Sequence, residues 1–155
     1  MVEDKKYYKE NWLYKDMQNM GYIFEYCNKY CENLYGVSID REKFIKSFMK
    51  SAIRKETEAG NPSLLSQSAM DTVQKFIDED CDKNIIQFED ANKKSYAMNQ
   101  LYWAGMIYAY LHYAENKPSS ELEDLIPLEK MLDYYYLGHE MDIETFYNHI
   151  KPALS

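Results

Sequence analysis

Glycine and proline are scarce, at 5 and 4 copies in 155 residues. A β-sandwich or barrel needs a turn signal every eight to twelve or so residues, so this scarcity argues against an all-β chain. Cysteine is limited to Cys27, Cys31 and Cys81, an odd number that makes a poor disulfide framework and points to a reducing compartment. No segment approaches the roughly 20 consecutive apolar residues of a membrane span. The opening Met-Val-Glu-Asp-Lys-Lys has none of the apolar core of a secretory leader. The expected location is cytoplasmic. Basic residues are the minority, 18 Lys and Arg against 26 Asp and Glu, giving a net charge of −8 and a pI of ≈ 4.9. A chain that grips nucleic acid through its phosphates carries the opposite balance.

What is present is enough for one domain. Hydrophobic residues make up 46% of the chain, within the ordinary globular range. A chain this long buries roughly 68–70% of its unfolded surface without a disulfide or metal staple. Mean hydropathy is nevertheless −0.65. Tyrosine, with 16 copies, explains the contradiction, because it counts as apolar in the first measure and polar in the second.

Periodicity makes the chain all-α, a compact multi-helix bundle in a single domain spanning 1–155. Leu13, Met17, Met20, Phe24, Cys27, Cys31 and Leu34 alternate spacings of four and three, an a/d seam on a helix over about 5–35, relaxed near Gly21. Cys27 and Cys31 are small core residues on this reading. The seam covers barely three heptads, so its expected partner is another helix of the same chain; a homodimer through this helix is the alternative. Gly36 is a natural left-handed stop. Asp40 caps a second helix over about 41–58, with Phe44, Ile45, Phe48, Met49 and Ala52 on its apolar face. Lys43, Lys46, Lys50 and Arg54 form the chain's only basic stripe, expected to be a solvated face. Gly60-Asn61-Pro62 ends the segment.

Ser68 and Asp71 pair as a cap for a helix using Met70, Val73, Phe76 and Ile77. Residues 78–84 are polar and suit a loop, and 85–94 suit a helical turn or loop. The segment 95–115 is apolar or aromatic on nearly every side, from Tyr96 through Trp103, Ile107, Tyr108 and Leu111 to Tyr113, and should be the central helix. Gly105 inside it costs about 1 kcal/mol against Ala, so another helix backbone should pass close by. Ser120 with Glu123 fits a capping box for a short helix carrying Leu122, Leu125 and Ile126. Pro127 ends that helix and begins one running to about Leu137, Gly138 breaks the chain again, and Asp142 starts a last helix through Ile143, Phe146, Tyr147 and Ile150. From Lys117 onward three Lys face eight Asp or Glu, so most of the net negative charge lies here.

Tests for chemistry return little. His139 and His149 flank Glu140, Asp142 and Glu144, but their spacing matches no His-Glu-x-x-His or related metal pattern. His112, within the aromatic helix, suits a hydrogen-bonded core position. The only arginines, Arg41 and Arg54, have no His four to six residues on, so the Arg-x-His ribonuclease pattern is missing. Phosphate loops, Gly-x-Ser-x-Gly elbows and Cys-x-x-Cys pairs are also missing. The short helices around Pro127 have a helix-turn-helix spacing but carry mostly acids. No catalytic residue, metal ligand or cofactor is expected. Tyr134-Tyr135-Tyr136 point three ways on one helix, so at least one should be exposed, and exposed tyrosine is a favoured contact residue.

The residues Phe48-Met49-Lys50-Ser51 through Glu58-Ala59-Gly60-Asn61-Pro62 resemble a family of small bacterial helical proteins. So do Tyr102-Trp103-Ala104-Gly105 through Tyr110, Ser119-Ser120-Glu121-Leu122 through Ile126-Pro127-Leu128, and Tyr136 with His139-Glu140-Met141-Asp142-Ile143 and Phe146. Members of that family are encoded in toxin–antitoxin-like gene clusters, often on mobile elements near ADP-ribosyltransferase-like toxins. The resemblance covers about the last two thirds of the chain, omits the N-terminal seam and supplies no catalytic residue. It implies a helical antitoxin or accessory protein.

Three functions follow. The first is a non-enzymatic acidic protein-binding module that neutralises a partner protein, a toxin in the first instance, through Tyr134, Tyr135, Tyr136, His139, Glu140, Asp142 and Glu144. The second is an anti-CRISPR-like inhibitor from a phage or mobile element that places acids in the basic groove of a nucleic-acid enzyme. The third is an enzyme or metal protein using His139 and nearby acids. None of the three requires direct nucleic-acid or membrane contact.

Overall fold

The computed structural model describes residues 5–81 and 94–155. These form ten α-helices and a terminal 3₁₀ turn, with no strand among the described residues. Residues 82–84 of the loop expected over 78–84, and 85–93 of the turn or loop expected over 85–94, lie outside the described residues.

The heptad seam is buried within the chain. Helix α1 spans Lys5–Asn11 and α2 spans Leu13–Tyr35. The break falls at Trp12 (φ −127°, ψ −23°) and not at Gly21. Across that break the Tyr8 hydroxyl donates to Asp16 Oδ2 at 2.8 Å. Leu13, Met17, Met20, Phe24, Cys27 and Cys31 are all buried, as the seam requires, and Leu34 is half-buried. Gly36 takes φ 68° and its N–H returns to Glu32 O, closing α2.

Asp40 caps α3 (Arg41–Met49), its Oδ1 accepting from the Glu42 and Lys43 N–H groups. The expected single helix over 41–58 is two. Ser51 leaves helical geometry at ψ 156°, and its hydroxyl accepts from Arg54 N–H, opening α4 (Ala52–Glu58). The break rotates the second half of the segment about its axis. Ala52, expected in the core, becomes exposed, and Arg54, expected in the solvated stripe, becomes buried. Asn61 then caps the short α5 (Pro62–Leu65), and Ser68 caps α6 (Ala69–Glu79), accepting from Asp71 N–H. On α6 Val73, Phe76 and Ile77 are core while Met70 is exposed; Ala69 and Thr72 occupy the inner face in its place.

Helix α7 (Gln100–Glu115) is the centre of the bundle, and not one of its residues is exposed. It is shorter than the expected 95–115, so Tyr96 lies ahead of it in non-helical chain. The α2–α7 crossing is close because both helices present glycine there. A Cβ on Gly105 would lie 2.6 Å from the Met20 carbonyl carbon, and one on Gly21 the same distance from the Tyr102 ring.

Helices α8 (Ser119–Leu125), α9 (Leu128–Gly138) and α10 (Ile143–Ile150) complete the bundle. The capping box expected at Ser120 and Glu123 does not form. Pro118 is the N-cap of α8, and its first N–H, that of Ser119, is held by the Glu58 carboxylate of α4 at 3.1 Å from each oxygen. Glu123 caps the next helix, accepting from Leu128 N–H at 2.9 Å. Asp142 caps α10 as expected.

The basic stripe is reassigned. Lys46 pairs with Glu129, and Lys50 with Asp124 at 2.8 Å and Glu123 at 3.7 Å. Lys46 and Lys50 fasten α3 to the acidic C-terminal helices. The hydrogen bond from Lys46 holds the Glu129 carboxyl below its ordinary range, and that from Lys50 to Asp124 raises the lysine. The pairs with Glu129 and Asp124 are solvated, so each is worth at most about 1 kcal/mol, whereas Glu123 is buried.

Candidate functional site

Two clusters of functional side chains stand out, one sealed and one open. The sealed one surrounds Arg54, 2% exposed. Its guanidinium donates to both oxygens of Asp16 at 2.7 and 2.8 Å, while its Nε faces Ser119 Oγ at 3.3 Å and Glu58 Oε2 at 3.5 Å. Ser119 Oγ donates to Glu58 Oε2 at 2.8 Å. His112 Nδ1 lies 3.2 Å from the same oxygen and 2.9 Å from Lys117 O, two acceptors, so Nδ1 carries the proton. His112 is therefore a core residue as expected, hydrogen-bonded through Nδ1, while its buried Nε2 has no hydrogen-bond partner among the described residues.

Tyrosine, two carboxylates, arginine, serine and histidine together make an inventory that suggests catalysis. Access argues otherwise, because the cavity beside Asp16 and Arg54 measures only about 10 Å³, room for at most a single water. The cluster ties α1, α2, α4, α7 and α8 together instead. Burial drives the Asp16 carboxyl up, but the Arg54 charge and the hydrogen bonds from Arg54 and Tyr8 outweigh it and hold it below its ordinary range.

The open cluster is a groove of about 410 Å³ lined by α2, α7 and α9. Tyr22, Glu25 and Tyr26 line it from α2, Tyr102, Trp103 and Met106 from α7, and Tyr135 and His139 from α9 and its end, with Asn99 at its rim. The volume falls within the roughly 300–1,000 Å³ of ligand pockets. Edge-to-face contacts fix its walls: Tyr22 on Tyr102 at 5.4 Å and Trp103 on Tyr135 at 5.8 Å. Tyr135 is further held by its hydroxyl donating to Met98 O at 2.7 Å and by the His139 ring stacked on it at 4.2 Å.

Of the residues singled out from sequence, the structure brings Tyr135 and His139 into this groove, and Tyr136 lies against Tyr135, 64% exposed. At least one exposed tyrosine of the three was the expectation, and Tyr136 meets it. Tyr134 instead packs on Phe146. Glu140, Asp142 and Glu144 are exposed beyond the groove. Asp142 is engaged as a cap, and the hydroxyl and N–H of Thr145 lower its carboxyl. Among the described residues no group of three or more His, Cys, Asp or Glu is placed to hold a metal ion.

Sequence reasoning missed Tyr22, Glu25, Tyr26, Tyr102, Trp103 and Met106 as site residues. A signal existed. Tyr22, Tyr26 and Tyr30 recur every fourth residue outside the a/d seam, and their rings follow one another at 6.1 and 6.0 Å.

The buried phenols predict alkaline sensitivity. Burial and neighbouring carboxylates raise Tyr8 and Tyr108 well above the ordinary 10.0. Burial and the hydrogen bond to Glu115 push Tyr147 up to about 12. A raised folded value means the folded chain keeps protons that the unfolded chain releases. The stability they contribute is complete below pH 10 and falls as pH rises beyond it. Tyrosinate absorbance and far-ultraviolet circular dichroism, followed together, should show the last phenols ionising only as helicity is lost. Complete ionisation with helicity intact would refute the assignment.

No helix among the described residues is long and apolar enough to cross a membrane. Comparison of sequence and fold with known proteins returns no match to any family model, curated protein or solved structure.

Proposed function

We propose that the chain is a non-enzymatic, acidic protein-binding module whose partner face is the aromatic groove between α2, α7 and α9 with Tyr136 at its flank. The supporting observation is that groove: walls of tyrosine and tryptophan, with the exposed Glu140, Asp142 and Glu144 following His139 along the chain. Tyrosine supplies large contact area at small entropic cost, and a few such residues carry most of the energy of an interface. The arginine–carboxylate–histidine cluster adds no case for catalysis, being closed to substrate and used in architecture.

The family resemblance gives the partner its first candidate, a toxin encoded beside this chain, which the module would neutralise. Co-purification with the neighbouring gene product, and rescue of growth when that product is expressed, are the expected results. Tyr136→Ala should weaken the complex by about tenfold or more while leaving the fold intact, as hot-spot tyrosines at exposed positions do. Neither complex nor rescue would sink the reading. A complex with a nucleic-acid enzyme that nucleic acid displaces would favour the inhibitor of a basic groove, for which the exposed acids are the motive.

A further inference from the structure

The groove has a chemical preference that its shape alone does not convey. Five of its lining residues are tyrosine or tryptophan, and none is Lys or Arg. One wall carries a carboxylate, Glu25, whose Oε1 is closed off from solvent and has no hydrogen-bond partner. A carboxylate oxygen left in that condition costs more than an exposed one, and the cost is relieved when a donor arrives. The terminal torsion of a glutamate is broad, so a ligand in the groove can draw that oxygen outward without moving the helix. Aromatic faces attract cations through their quadrupole, most strongly where water is excluded.

We infer that the groove is a receptor for a guanidinium group, the side chain of an arginine on the protein partner, with Glu25 as its counter-ion and Tyr26, Tyr102 and Trp103 as its aromatic walls. The inference rests on the reading of this face as the partner surface. The unpartnered oxygen asks for an N–H donor, which a quaternary ammonium does not have. Between the two basic side chains, guanidinium is planar, stacks on aromatic rings and is less strongly hydrated than ammonium. The chain's net charge of −8 favours a cationic partner from a distance.

The test uses the full chain and three probes followed by the Trp103 indole N–H resonance: N-acetyl-arginine amide, its neutral isostere N-acetyl-citrulline amide, and tetramethylammonium. Arginine should shift the resonance saturably and bind at least about tenfold tighter than citrulline, the margin of a charge-assisted hydrogen bond. Glu25→Gln should remove that preference, and Tyr26→Leu, at a position 42% exposed, should weaken binding of arginine with the helical content unchanged. Equal binding of arginine and citrulline, no shift at all, or tighter binding of tetramethylammonium would each overturn the assignment. The two proposals fail separately. A partner complex that survives Glu25→Gln undiminished keeps the docking face and removes the arginine receptor, whereas loss of any partner complex with arginine selectivity intact does the reverse.

Discussion

Replacing Arg54 with methionine should lower the unfolding free energy by about 3–5 kcal/mol, the cost of leaving a buried carboxylate without its partner. A total stability of about 5–15 kcal/mol makes that a large fraction of the whole. Methionine matches the stem of arginine well enough that lost packing is the smaller part. What remains is Asp16, 4% exposed, facing Glu58 across the vacated guanidinium with only Tyr8 as donor. Lysine should rescue little, because it offers a point charge where Asp16 is bound by two parallel N–H groups. Denaturant unfolding at neutral pH measures the difference. Its pH dependence identifies the cause. In the wild type, Asp16 titrates below its ordinary 3.8, so its contribution is complete above that value and is lost as pH falls through the lower folded one. In the variant the carboxyl is instead raised by burial, and protonation relieves it. The gap between wild type and variant should therefore narrow in acid, and Asp16→Asn should reduce the cost of Arg54→Met when the two are combined. A gap independent of pH would mean that packing, and not the ion pair, accounts for the loss.

This cluster marks the limit of what the sequence discloses. The fold class, the central helix around Tyr108, the stop at Gly36, and the caps at Asp40, Ser68 and Asp142 are local signals, written in a few neighbouring residues each. Arg54 is different. Its spacing from Lys43, Lys46 and Lys50 reads as one stripe only if α3 and α4 are continuous, and Ser51 breaks them where the apolar pattern runs on undisturbed. Glu58 is a further case, since it caps a helix that begins sixty or so residues later and carries no mark of doing so. The groove was half legible for the same reason. Tyr135 and His139 sit on one short segment and could be found together, whereas Tyr22, Glu25 and Tyr102 meet only because α2 crosses α7 at a pair of glycines.

That crossing carries the second large expected effect. Gly105→Ala should destabilise the chain by about 3 kcal/mol, although alanine is the better helix former by about 1 kcal/mol. The sign follows from what the new methyl group meets. A Cβ at Gly105 would lie 2.6 Å from the Met20 carbonyl carbon, closer still to its oxygen, and 3.0 Å from Gly21 N. These are backbone atoms of α2, which cannot rotate aside, so the two central helices must separate along their length and open the contacts of Met20, Phe24, Ala104 and Tyr108. Gly21→Ala meets the Tyr102 ring at a comparable distance, but a half-buried ring can swing outward, and the cost should be smaller. Its effect should fall on the groove, where Tyr102 is a wall. Thermal unfolding of the two variants separates these outcomes: a midpoint lowered by about 10 °C for Gly105→Ala, and a lesser shift for Gly21→Ala accompanied by loss of ligand-induced change at Trp103. If Gly105→Ala were neutral or stabilising, the close crossing of α2 and α7 would be wrong, and with it the placement of every aromatic wall that the groove depends on.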